Sequence, residues 1–73
     1  MYQYIATGTV RGEDGTEKHW HLTSRTFASA TQAKRDFNRS HFGDATSGLI
    51  VNLLTSRVEW EKNQGTRTFR RCM

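Results

Sequence analysis

From Tyr2 to Arg11 the chain alternates. Tyr2, Tyr4, Ala6, Gly8 and Val10 fall on one face of an extended segment, and Gln3, Ile5, Thr7, Thr9 and Arg11 fall on the other. A period of two with β-branched and aromatic residues predicts a strand. Ala6 and Gly8 are small neighbours on one face, a place where a bulky element such as a helix can approach the sheet. Gly12-Glu13-Asp14-Gly15 is a turn signal. A second strand is expected from Thr16 to about Thr26, with Trp20, Leu22 and Lys18 on one face and His19, His21 and Thr23 on the other. The two strands read as an antiparallel hairpin.

The period then changes. Ala30, Ala33 and Phe37 are spaced i, i+3, i+7 and His41 follows four further on, which gives one narrow apolar stripe on a helix. Ser29 with Gln32 three residues later makes a capping box at its start. Gly43 is the expected left-handed cap residue at its end. The two alanines let the helix lie close to a sheet, over Ala6 and Gly8.

Leu49-Ile50-Val51-Asn52-Leu53-Leu54 is the most apolar run of the chain, and it predicts a central strand. Thr55-Ser56-Arg57 is a turn or a bulge, and Val58 to Glu61 alternates again. The pattern leaves open whether residues 49–62 form one bent strand or two. Asn63-Gln64-Gly65 is another turn signal, and Thr66 to Arg70 is expected to form a last edge strand. The prediction is an α+β domain in β-β-α-β-β order. It is a small antiparallel sheet of four strands (three to five), with one helix on one face and the other face open to Thr, His and charged side chains.

Length, charge and cysteine content narrow the picture. Seventy-three residues make one domain, 1–73, whose core is small because a chain this short buries only about 60% of its unfolded surface. Cys72 is the single cysteine, which excludes an intrachain disulfide and suits a reducing compartment. No apolar run approaches the roughly 20 residues of a membrane span, and the N-terminal stretch lacks a secretory pattern. The expected location is therefore the cytoplasm, with no membrane partner. Eleven basic against seven acidic residues leave a net charge of +4, which suits an anionic partner and equally suits plain solubility.

Catalytic and metal chemistry find little support. His19 and His21 point the same way on a strand, and His41 and Cys72 would have to complete a zinc set. The close paired spacings of zinc sites are missing. Glu59 and Glu61 share a face by alternation and offer a like-charge pair, but Arg57, Lys62 and Arg67 are placed to neutralise them. No GxSxG, P-loop or HExxH occurs. The expectation is a protein without enzymatic activity, metal or cofactor. The two tryptophans are assigned to the core rather than to base stacking.

The basic residues carry the functional reading. On the helix, Lys34, Arg35 and Arg39 stand off the apolar stripe. Arg35 and Arg39 share a surface at i, i+4, Gln32 flanks them, and Asp36 is placed to contact Arg39 at i, i+3. Arg67, Arg70 and Arg71 add charge near the C-terminus. Forked guanidinium donors suit phosphates and carboxylates. The partner-binding set is thus Gln32, Lys34, Arg35, Arg39, Arg67 and Arg70. The plain alternative is a solvated helix face with a loose basic tail.

Residues 26–37, TFASATQAKRDF, followed by the apolar strand GLIVNLL and a hairpin with a basic end, resemble small phage-encoded anti-CRISPR proteins that inhibit type I effector complexes. The resemblance lies in size, charge and order of elements over the middle and C-terminal two-thirds. Many members of that group are acidic DNA mimics, and this chain departs from them in being basic. The resemblance implies a non-enzymatic phage or mobile-element inhibitor acting in the host cytoplasm. Its partner would be a host protein or ribonucleoprotein complex, here a CRISPR effector, whose access to nucleic acid it blocks. A direct DNA- or RNA-binding module using the same basic helix is the alternative, and a homodimer pairing through a strand edge is a third reading.

Overall fold

A computed structural model describes residues 1–40, 46–66 and 68–72. The elements are β1 (Tyr2–Arg11), β2 (Glu17–Thr23), α1 (Ala30–Arg39), β3 (Ser47–Asn52), β4 (Arg57–Lys62) and β5 (Arg70–Arg71). All pairings are antiparallel, and the sheet order is β2-β1-β3-β4-β5. The α+β architecture matches the pattern reading, with a fifth strand only two residues long. Residues 49–62 resolve into two strands joined by a turn in which Ser56 has a positive φ of 57°. The last strand lies at Arg70–Arg71 rather than Thr66–Arg70. Among the described residues no helix is long and apolar enough to cross a membrane.

β2 and β3 flank β1, so α1 crosses over β1 to join them and packs on β1 and β3. Its start follows the capping signal. The Gln32 N–H donates to Ser29 Oγ at 3.2 Å, and Gln32 Oε1 accepts from the Ala28 N–H at 3.2 Å, one residue before the reciprocal partner of a regular capping box. The helix ends earlier than expected. Ser40 is its C-cap, with its N–H on the carbonyls of Asp36 and Phe37. The predicted cap Gly43 and the stripe residue His41 lie outside the described residues.

The buried apolar residues are Tyr4, Ala6, Phe27, Ala33, Phe37, Ile50 and Phe69. Four are aromatic, and Phe37 meets Tyr4 and Phe69 edge-on at centroid distances of 5.3 and 5.1 Å. The small residues explain how so flat a core closes. An added Cβ at Gly48 would lie 2.5 Å from the Phe37 ring, so this glycine is the floor on which the helix aromatic sits. Gly8 does the same for Trp20, whose indole covers it from the opposite position on β2. The helix thus sits above Ala6 and Gly48 rather than above Ala6 and Gly8. Trp20 and Trp60 are half-buried against this core.

One irregularity reorients β4. Ile50 pairs with Trp60 but Val51 pairs with Val58, so Glu59 is an extra residue in a β-bulge. Glu59 accepts from Asn52 Nδ2 at 2.8 Å and from the Tyr2 hydroxyl at 3.5 Å, both on the helix side of the sheet. Glu61 pairs across from Leu49 on the open side and binds Arg70 at 2.6 Å. The two glutamates expected on one face therefore lie on opposite faces, because the bulge breaks the alternation between them.

A candidate anion-binding cleft

At about 100° per residue, Gln32, Arg35, Asp36 and Arg39 lie on one flank of α1, and Lys34 lies on the other. On the first flank the helix faces the connection Ser24–Phe27. That connection is fastened along the start of β1. Tyr2 and Phe27 exchange backbone bonds of 2.8 and 2.7 Å, the Ser24 N–H reaches the Tyr4 carbonyl at 2.9 Å, and Ser24 Oγ accepts from the Tyr4 N–H at 2.9 Å. Gln3 Nε2 donates to the Ser24 carbonyl at 2.8 Å. These bonds fix Arg25, whose guanidinium lies 4.3 Å from the Phe27 ring centroid. Arg25, Phe27, Gln32, Arg35, Asp36 and Arg39 enclose a cleft of about 310 Å³.

The cleft holds three guanidinium groups and one carboxylate. That carboxylate is already engaged, since the Tyr4 hydroxyl donates to Asp36 Oδ2 at 2.9 Å. The expected Asp36–Arg39 contact is not formed: among the described residues Asp36 makes no ion pair within 4 Å, because Tyr4 holds it at the sheet side of the cleft. Among those residues Arg25, Arg35 and Arg39 likewise have no carboxylate partner within that distance. An anion entering the cleft meets donors that need not break a salt bridge first.

Burial raises the Tyr4 phenol above its ordinary value near 10. The hydrogen bond to Asp36 and the Asp36 charge add to this, against opposing contributions from Ser40 and Arg25. A phenol with a raised pKa in the folded state contributes stability that is complete below its unfolded value and is lost as pH rises through the folded one. Tyr4→Phe is expected to cost about 1–2 kcal/mol at neutral pH by removing a hydrogen bond to a charged group. It is also expected to flatten the decline of stability above pH ~10, as read from urea midpoints across pH.

The six predicted residues separate. Gln32, Arg35 and Arg39 share the cleft. Lys34 does not stand free beside them. Its Nζ lies 3.0 Å from the centroid of the Trp60 ring on the other flank, and desolvation there, with the charge of Arg71, lowers its pKa. Arg70 is on the open sheet face in its pair with Glu61. Arg67 lies outside the described residues. Pattern reading missed Arg25 because it falls within the second strand expected to run to about Thr26, whereas β2 ends at Thr23 and leaves Arg25 in the connection to α1. Only the aromatic Phe27 two residues on hints at its stacking.

The open face carries a second depression of about 300 Å³ lined by Thr7, Thr9, His19, His21, Ser47 and Gln64 among others. The two imidazoles do share a face there, His19 opposite Thr9 and His21 opposite Thr7. Among the described residues no three metal-ligating side chains converge. Comparisons with protein-family models, with curated proteins and with solved structures find no match to this chain.

Proposed function

We propose that the protein is a non-enzymatic binding protein that seats an anionic group of a nucleic-acid-handling complex between Arg25, Arg35 and Arg39. By occupying that complex it blocks access of nucleic acid, as an anti-CRISPR-like inhibitor of phage or mobile-element origin does in the host cytoplasm. The observation that carries the reading is the cleft itself, with three guanidiniums gathered around a carboxylate that Tyr4 already holds. Among the described residues, three of the other basic groups are engaged elsewhere. Arg11 pairs with Glu17, Arg70 pairs with Glu61, and Lys34 covers Trp60. A discrete cluster of this kind fits an acidic side chain or a single phosphate on a folded surface better than a run of phosphates.

Affinity capture from host lysate, with and without nuclease, tests this. A protein complex that handles nucleic acid should remain bound after nuclease treatment and in moderate salt. Its nucleic-acid binding should fall as the small protein is added. Arg35→Ala should weaken capture by about 2 kcal/mol if it is a central contact, and Arg35→Ala/Arg39→Ala should abolish it with the circular dichroism unchanged. Recovery of nucleic acid alone, lost as salt rises, would instead make the cleft a phosphate grip and end the inhibitor reading.

A further inference from the structure

The face of the sheet away from α1 is uncovered, and it is not uniformly polar. Ile5 lies opposite Leu49, and Val51 lies opposite Val58, so four aliphatic side chains form a continuous patch across β1, β3 and β4. Val58 is 38% exposed, Ile5, Leu49 and Val51 are half-buried, and Leu53 and Leu54 in the adjoining β3–β4 turn are 39% and 88% exposed. The charge on this face is distinctive. Among the described residues its charged groups are Arg11, Glu17, Glu61 and Arg70, and they are matched within the face as Arg11–Glu17 at 3.6 Å and Arg70–Glu61 at 2.6 Å. A chain of net charge +4 therefore presents a sheet face whose described residues sum to zero charge, with its basic cleft on the opposite side.

We propose that this face is a self-association surface through which two copies of the chain pack sheet to sheet. The charge distribution selects a second copy over a charged partner. Among its described residues the face carries no unmatched charge to attract an acidic or basic surface. In a face-to-face pair the Arg25–Arg35–Arg39 clefts point outward from a two-sheet sandwich whose layers alone are about 10 Å apart. That keeps the surplus positive charges more than a Debye length apart at physiological salt. The strands cover on the order of 500 Å² per copy at about 3.4 Å by 4.8 Å per residue. This is below the roughly 800 Å² per partner of a standard interface, so the association is weak and depends on concentration. Packing sheet to sheet differs from pairing through a strand edge, because it leaves β2 and β5 free.

Sedimentation equilibrium of the full chain from about 10 µM to about 1 mM tests the proposal. The mass is expected to rise from 8.4 kDa toward twice that value. Val51→Lys and, separately, Thr7→Arg should raise the dissociation constant at least tenfold. Arg35→Ala should leave it unchanged, which separates this inference from the cleft reading. Thr7 is exposed, so Thr7→Arg decides the matter should Val51→Lys fail to fold. A mass of 8.4 kDa at every concentration would overturn the proposal. So would a dimer that survives Thr7→Arg, because association would then use another surface.

Discussion

Phe37→Ala is expected to remove a large share of the domain's stability. Phe37 is fully buried, meets two aromatic rings edge-on and rests on the bare backbone of Gly48. Truncating a buried phenylalanine costs about 3–5 kcal/mol, while a domain of this length has roughly 4–11 kcal/mol in total. The loss should appear as a fall in the urea midpoint by a large fraction of its starting value, with the slope unchanged. Gly48→Ala approaches the same contact from below and should cost about 1–3 kcal/mol by overpacking. Because the two positions touch, their effects should not add. In a Phe37→Leu background the penalty of Gly48→Ala should shrink by about 0.5 kcal/mol or more. Additive penalties would show that the ring does not seat on Gly48.

Lys62→Ala is expected to be nearly as damaging, although lysine is among the residues least often buried. Lys62 is 1% exposed, stands opposite Gly48 on the helix side and donates from Nζ to the Thr46 carbonyl, 5.6 Å from the Phe37 ring centroid. Its methylene stem is buried on the helix side, beside the Phe37 ring that seats on Gly48. Alanine removes both the stem and the donor to Thr46, at about 3–4 kcal/mol in all. Lys62→Met keeps most of the volume and should lose only about 1–2 kcal/mol. The gap between the two variants in chemical denaturation measures the packing share. If both cost less than about 1 kcal/mol, the ammonium reaches water and the buried placement is wrong.

Lys62 also shows where sequence reading stops. By alternation it is one more surface cation beside two glutamates. Its burial depends on a glycine directly across the ladder, and the pairing of β3 with β4 is a tertiary fact. The hairpin of β1 and β2, the start of α1 and its apolar stripe were legible because each rests on local spacing and a capping signal. The Glu59 bulge was not, since one inserted residue inverts the phase of everything after it. Half of the cleft was legible as well. Gln32, Arg35 and Arg39 follow from helical geometry alone. Arg25 joins them only because Ser24 and Phe27 are bonded along the first residues of β1.

The bulge has one more consequence. Before it, on β4, the even-numbered Val58 belongs to the open face. After it, the even-numbered Trp60 and Lys62 belong to the helix side, opposite Ile50 and Gly48. Parity changes meaning at Glu59. An apolar-to-polar substitution is an open-face change at position 58 and a helix-side change at position 60. Tolerance to mutation along this six-residue strand must therefore be judged in two frames that meet at a single carboxylate, the one held by Asn52 and Tyr2.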